Sequence, residues 1–194
     1  MNKFEFENFF QQNKSKYIQA IEKTLDNQIS QIFNLYQDMF KCLKNNGVIY
    51  LCGNGGSFSD AQHIVGELVV RFKKERFPFR SIALGSNPNI LTATSNDFNY
   101  ELIFSRELLA YGNSNNDDIL ICLSTSGNSD NISKVLETAK ELHLNTWLIT
   151  GLKRSNTTDK ADKYIYINSE ETALIQEITM NIMHQICDKL EENI

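Results

Sequence analysis

Apolar side chains return at three- and four-residue steps through residues 15–45, at Tyr17, Ile18, Ile21, Leu25, Ile29, Ile32, Tyr36, Met39 and Leu43. That period is the signature of one buried helix face. The spacing predicts a long amphipathic helix, and Phe4, Phe6, Phe9 and Phe10 predict a shorter helix or anchor ahead of it. A helix of this length in a small protein is expected to serve a partner subunit as well as its own core. From residue 46 the pattern changes. Short apolar runs at 48–52, 81–84, 118–123, 146–150 and 164–167 read as strands, and helical periodicity follows each of the first three and closes the chain, ending near Phe72, spanning about 100–111 and 130–142, and running from about Glu170 to near the C-terminus. Strands alternating with helices predict an α/β three-layer sandwich, a five-stranded parallel sheet flanked by helices with an N-terminal helical extension. Residues 87–99 read as a mixed segment and the polar stretch 153–163 as a mobile loop. With no repeat or linker, residues 1–194 are expected to form one domain, with 1–45 as helices for oligomer packing.

Two strand ends carry candidate chemistry. The run ending at Leu123 empties into Ser124-Thr-Ser-Gly-Asn-Ser129, and a helical pattern begins at once. The unpaired N–H groups of a first helical turn favour an anion, and Ser124, Thr125, Ser126 and Ser129 add donors without fixed charge. This points to a phosphorylated small molecule. The first strand ends in Cys52-Gly-Asn-Gly-Gly-Ser57. Phe58 stands where a dinucleotide fingerprint needs its third glycine, and no Gly-Lys-Ser/Thr follows, so neither common nucleotide motif is met. The turn, with Asn54, Gly55, Gly56 and Ser57, can still bring backbone donors close to a ligand.

On the next helix His63 and Glu67 share a face at i, i+4, a spacing that suits half of a divalent-metal site and, for a pair taken alone, more often marks a helix-surface hydrogen bond. Arg71 continues that face by another such step and can hold a phosphate or carboxylate. The last helix carries Gln176 and His184 on one stripe amid apolar residues. Eight residues rise about 12 Å, so the two share one ion only by leaning inward, and otherwise serve adjacent parts of one pocket. Asn96-Asp97 reads as an Asx turn, a helix cap or a ligand contact. His143, at a helix end, reads as solvated.

The net charge of −5 argues against broad nucleic-acid binding. No apolar run approaches the ~18 residues of a membrane span, and the N-terminus lacks a signal-peptide pattern, so a cytoplasmic protein is expected. Cys42, Cys52, Cys122 and Cys187 each sit in apolar stretches without metal spacing and read as buried free thiols.

Taken together, Cys52–Ser57, Asp60-Ala-Gln-His63 with Glu67 and Arg71, Asn96-Asp97-Phe98, Phe104-Ser-Arg106, Ser124–Ser129 and Ile175-Gln-Glu177 with His184 resemble the SIS (sugar isomerase) family and, within it, the phosphoheptose isomerases. Leu174, Phe58 and Asn99 depart from commoner residues beside those motifs. The resemblance implies isomerisation of sedoheptulose 7-phosphate to D-glycero-D-manno-heptose 7-phosphate for bacterial surface heptose. It implies zinc held by His63, Glu67, Gln176 and His184, and a homotetramer with active sites shared between subunits. It further implies substrate contacts from Asn54, Gly55, Gly56, Asn96, Asp97, Ser124, Thr125, Ser126, Ser129 and Gln176. Ketose–aldose conversion through an enediol needs an acid and a base, and Glu67 and His184 are the candidate pair. The competing expectations are a non-catalytic sugar-phosphate sensor or adaptor of the same fold, and an isomerase of another sugar phosphate.

Overall fold

The computed structural model describes residues 1–113, 117–152 and 157–194. Five parallel strands form one sheet: β1 (Ile49–Gly53), β2 (Ser81–Ala83), β3 (Ile119–Leu123), β4 (Asn145–Thr150) and β5 (Lys163–Tyr166), in the order β2-β1-β3-β4-β5. Side chains alternate across the pleat. Ile49, Leu51, Ile119, Ile121, Leu123, Trp147, Ile149 and Ile165 enter the core on one face. Tyr50, Cys52, Leu120, Cys122 and Leu148 enter the core on the other. Both faces being covered explains why the strand runs are continuously apolar.

The helices are α1 (Lys3–Lys44), α2 (Gly56–Val69), α3 (Pro88–Asp97), α4 (Ile103–Tyr111), α5 (Asp130–Glu141) and α6 (Thr172–Asn193). The three-layer expectation holds: α1, α2 and α6 supply one face's core and α4 and α5 the other's. The N-terminal extension is a single 42-residue helix rather than two. No glycine or proline interrupts residues 3–44, and a capping box starts the helix, Glu5 N donating to Asn2 Oδ1 and Asn2 N to Glu5 Oε2. Its second half docks on the sheet, where Asp38 accepts from Trp147 Nε1 at 2.8 Å and from Lys163 Nζ at 2.7 Å. Its first half leaves Phe4, Phe6, Phe9 and Phe10 exposed.

Two other expectations are corrected. Residues 88–97 are helical, opened by Asn87, whose Oδ1 accepts from Asn89 N, and by Pro88 at the first turn. Helix α2 stops at Val69, short of Phe72, because the next amides bind a side chain of α6 instead of its own carbonyls. Of the expected mobile loop, residues 153–156 lie outside the described residues. The described remainder is partly ordered into structure: residues 158–160 form a 3₁₀ turn, Thr157 and Thr158 are buried, Lys160 Nζ binds Glu137 Oε1 at 2.6 Å, and Lys163 opens β5.

All four cysteines are free and buried. His143 is exposed as expected, in the left-handed region at φ 60°, where its N–H and that of Leu144 close the end of α5 onto Lys140 and Ala139. Among the described residues no helix is long and apolar enough to cross a membrane.

The strand order reverses direction between β1 and β3, since β2 lies outside β1 while β4 and β5 continue beyond β3. The crevice outside the carboxyl ends of such strands is the usual ligand site of an open parallel sheet. Gly53 pairs with Leu123 at that edge, so the two loops read from the sequence emerge side by side.

Candidate active site

Those loops enclose a cavity of about 160 Å³ lined by Asn54, Gly56, Ser57, Ser124, Thr125, Ser126, Ser129 and Gln176, with Leu123 and Thr172 completing the wall. No lysine or arginine is among these residues. Gly55 holds φ at +56°, a region that L side chains rarely adopt, and thereby turns the chain into α2 without a side-chain cap. Ser129 occupies the N-cap of α5, again without its hydroxyl closing the helix. At the start of α2 the N–H groups of Ser57 and Phe58 are tied to Asn54 O and Gly55 O, both at 3.1 Å, whereas the first backbone bond of α5 is that of Ser133 N to Ser129 O, so the start of α5 is the end that suits a phosphate.

The cradle is held from behind by two asparagines. Asn54 Nδ2 donates to Asn131 Oδ1 at 2.9 Å, and Asn131 Nδ2 donates back to Asn54 Oδ1 at 2.8 Å. Asn131 is buried on α5, and Tyr100 Oη adds a third bond to Asn54 at 3.0 Å.

The second part of the site lies between α2 and α6. These helices run side by side in the same direction, touching at Ser57 and Gln176, then at His63 and His184. His63 Nε2 is 3.0 Å from Glu67 Oε1 and 3.4 Å from His184 Nε2. One ligand atom from each of the three residues falls within 4.8 Å of the others. Two imidazoles and a carboxylate at that spacing match a catalytic divalent-metal set that keeps a position open for substrate. Burial and the neighbouring His63 charge push the His184 imidazole below its ordinary range, against the opposing pull of Glu67, which favours the neutral, ligating form. Gln176 Nε2 instead donates to Ser57 Oγ at 3.3 Å, serving the adjacent hydroxyl pocket. His63 lies seven residues past Gly56, about 10 Å along the helix, so pocket and cluster are set apart by roughly the length of a small sugar phosphate.

Three expected contributors lie elsewhere. Arg71 is exposed beyond the end of α2, so it does not extend the His63–Glu67 face; the helix has already stopped. Asn96 and Asp97 close α3, where Asn96 Nδ2 donates to Asp97 Oδ1 at 2.9 Å. Within one chain Asp97 opens on a different cavity, beside Arg106 and Glu107.

A family model described as the SIS domain matches residues 10–151. Phosphoheptose isomerase 1 of Campylobacter jejuni is 39% identical over 182 residues, which are 94% of this chain and 95% of that one. The chain belongs to the phosphoheptose isomerase family of SIS domains. Solved structures agree. A phosphoheptose isomerase from Francisella tularensis superposes with a TM-score of 0.91 at 31% identity over 100% of both chains. The phosphoheptose isomerase GmhA from Neisseria gonorrhoeae gives 0.89 at 27% identity, covering 96% of this chain and 99% of that one.

For this phosphoheptose isomerase family member, reading the sequence missed Asn131, Tyr100 and Thr172 at the hydroxyl pocket. Asn131 directly follows the Ser124–Asp130 stretch, so its place in the first turn of α5 was an available signal. Tyr100 comes from a distant 3₁₀ turn and carried none.

Proposed function

We propose that this chain is an aldose–ketose isomerase that interconverts sedoheptulose 7-phosphate and D-glycero-D-manno-heptose 7-phosphate through an enediol. The observation that carries the reading is the pairing of a neutral, N–H-rich anion pocket with a His63–Glu67–His184 cluster along one helix seam. The hydroxyl loop grips the phosphate. Holding that end makes proton transfer at the other end effectively intramolecular. Glu67 and His184 serve as the acid/base pair, one taking the carbon-bound proton and the other exchanging protons with the sugar oxygens.

His63, Glu67 and His184 would hold zinc; Gln176, the fourth ligand implied by the resemblance, is bonded to Ser57 here. When bound, the ion would polarise the carbonyl and hydroxyl oxygens and stabilise the negative charge of the enediol. Asn54, Gly55, Gly56, Ser57, Ser124, Thr125, Ser126, Ser129 and Gln176 are the substrate-binding residues of this reading within one chain. Arg71, Asn96 and Asp97 join them only across a subunit boundary, in a homotetramer whose active sites are shared. The exposed phenylalanines on the first half of α1 support that assembly, since an apolar stripe of this kind is normally covered. The chain is read as one domain of the cytoplasm, feeding surface heptose synthesis.

The decisive assay incubates purified protein with sedoheptulose 7-phosphate, with chelator and with added zinc. The reading expects heptose 7-phosphate to form, to disappear with chelator and to return with zinc. Binding of the sugar phosphate without product under all three conditions overturns it in favour of a sensor.

A further inference from the structure

The contact between α2 and α6 has a third tie, beyond the two that build the site. Seven residues past His184, Glu191 turns a side chain that is 1% exposed toward the segment leaving α2. Its carboxylate accepts from three successive backbone N–H groups, those of Phe72 at 2.6 Å, Lys73 at 2.8 Å and Lys74 at 2.9 Å. Arg76 Nε lies 3.1 Å from the same carboxylate. The rest of that guanidinium returns to α2, Nη2 donating to Glu67 O at 2.7 Å and Nη1 to Leu68 O at 2.8 Å. Phe79 stacks beneath it, 3.7 Å from ring centroid to Cζ.

The geometry closes a loop around the cluster. Glu191 orders Phe72, whose ring stacks on His184 with centroids 5.4 Å apart and planes inclined by 18°. Arg76 holds the backbone carbonyl of Glu67 itself. The ties at Ser57–Gln176, His63–His184 and Phe72–Glu191 join residues 119, 121 and 119 positions apart. Two parallel helices pinned at both ends of a near-constant offset cannot slide, and the cluster sits between the pins. We propose that Glu191, Arg76 and Phe72 are positioning residues that lock the register of α6 on α2 and set the ring plane of His184 against Glu67. None of them faces the hydroxyl pocket. The inference rests on the isomerase reading for its catalytic consequence, but its effect on ion binding does not depend on turnover.

Outer residues that orient metal ligands commonly change affinity or activity by about 10–100-fold when replaced. The test uses Phe72→Leu, which keeps an apolar side chain and removes the stacking face, with Phe72→Tyr as the conservative partner. Glu191→Gln is the direct variant, but it leaves buried Arg76 without its countercharge and can fail to fold, so Phe72 carries the decision. Folding is checked by circular dichroism and thermal melting. Two quantities are read: kcat and KM for sedoheptulose 7-phosphate, and the affinity of chelator-treated protein for Co²⁺ followed by its visible absorption. The expected result for Phe72→Leu is a kcat lowered about 10-fold with KM within about twofold, and Co²⁺ affinity weakened about 10-fold or more. Phe72→Tyr returns both toward the native values. A folded Phe72→Leu protein with native kcat and native Co²⁺ affinity overturns the proposal, as does a rise in KM at unchanged kcat. If the native protein lacks turnover yet binds Co²⁺, the isomerase reading fails and the Co²⁺ arm still decides the clamp. A native protein with neither property overturns both.

Discussion

The hydroxyl cradle at the ends of β1 and β3 and the His63–Glu67–His184 cluster lie along one seam between α2 and α6, but they are built from different material. The cradle consists mainly of backbone N–H groups and short hydroxyls on loops that leave adjacent strands in register. Each strand–loop–helix unit brings its donors with it, and the Asn54–Asn131 amide pair ties the two units together. The cluster has no such local source. Its three side chains meet only because helices about 120 residues apart in the chain pack in one register, and a third segment, ordered by Glu191, holds that register. A phosphate grip can thus be assembled from near neighbours and neutral dipoles, whereas proton transfer requires titratable groups whose mutual placement is a property of the whole fold.

The largest expected effect separates the two regions outright. Glu67→Gln keeps the shape of the side chain and removes its basicity. It should lower kcat by about 10²–10⁴-fold, the usual worth of a general acid–base group, while the folded protein still binds the sugar phosphate. Near-native turnover would take Glu67 out of the chemistry and dissolve the contrast. Ser126→Ala should act in the opposite sense. Losing one hydrogen bond to a charged group weakens binding by about 1–3 kcal/mol, so KM should rise about 10-fold with kcat nearly unchanged. Unchanged affinity would move the phosphate elsewhere.

A smaller effect is expected where the two regions touch. A Cβ at Gly56 would lie 2.5 Å from Gln176 Nε2, an atom at the end of a flexible side chain. Gly56→Ala should therefore push the Gln176 amide off Ser57 with little loss of stability. The cost is about one hydrogen bond, roughly 1 kcal/mol or a few-fold in KM. A collapse of kcat instead would mean that Gln176 belongs functionally to the cluster, and that the boundary between the regions lies nearer the cradle than its hydrogen bond indicates.

The same contrast decided what the sequence revealed. The strands and both loops were legible because buried parallel strands are continuous apolar runs and Gly/Ser turns mark their ends. The cradle followed directly, since its chemistry is local. The single long α1 was legible as a helix but not as one unbroken element, because its first half lacks a core-facing stripe and its Asn2–Glu5 cap sits at the very start. Helix α3 was hidden by its Thr, Asn and Ser content, residues whose side chains compete for backbone bonds. Arg71 was misplaced because periodicity continues past Val69 while the helix does not. What stops the helix is Glu191, more than a hundred residues away, and no local pattern announces a long-range carboxylate. His63, Glu67 and His184 could be named by type and spacing, yet their meeting required the tertiary register.

The weakest effect at neutral pH comes from acid, and it falls on one region only. Burial alone would raise the Glu191 carboxyl, but the N–H groups of Phe72, Lys73 and Lys74 and the charge of Arg76 outweigh it, so its pKa lies below the ordinary glutamate value. A carboxyl depressed in the folded state stabilises fully above its unfolded pKa, near 4.3, and that contribution is lost as pH falls through the lower folded value. Cys187 on its own helix also feels the Glu191 charge, and Asp188 on that helix pairs with Lys73 Nζ at 2.7 Å. The cradle holds its ligand with groups that do not titrate in this range. Hydrogen exchange followed from pH 6 down to pH 3, corrected for intrinsic rates, should therefore show the amides of Phe72, Lys73 and Lys74 losing protection first, while the amides of Ser124 and Gly127, bonded to Ile149 O and Ser124 O, keep theirs. In Glu191→Gln, if it folds, the three amides should be less protected than the native ones near pH 6, should match them once the native carboxyl is protonated, and the acid step should vanish. Protection of those amides that stays level down to pH 3 would mean that the carboxylate does not order the segment, and that the cluster's register is held by apolar packing alone.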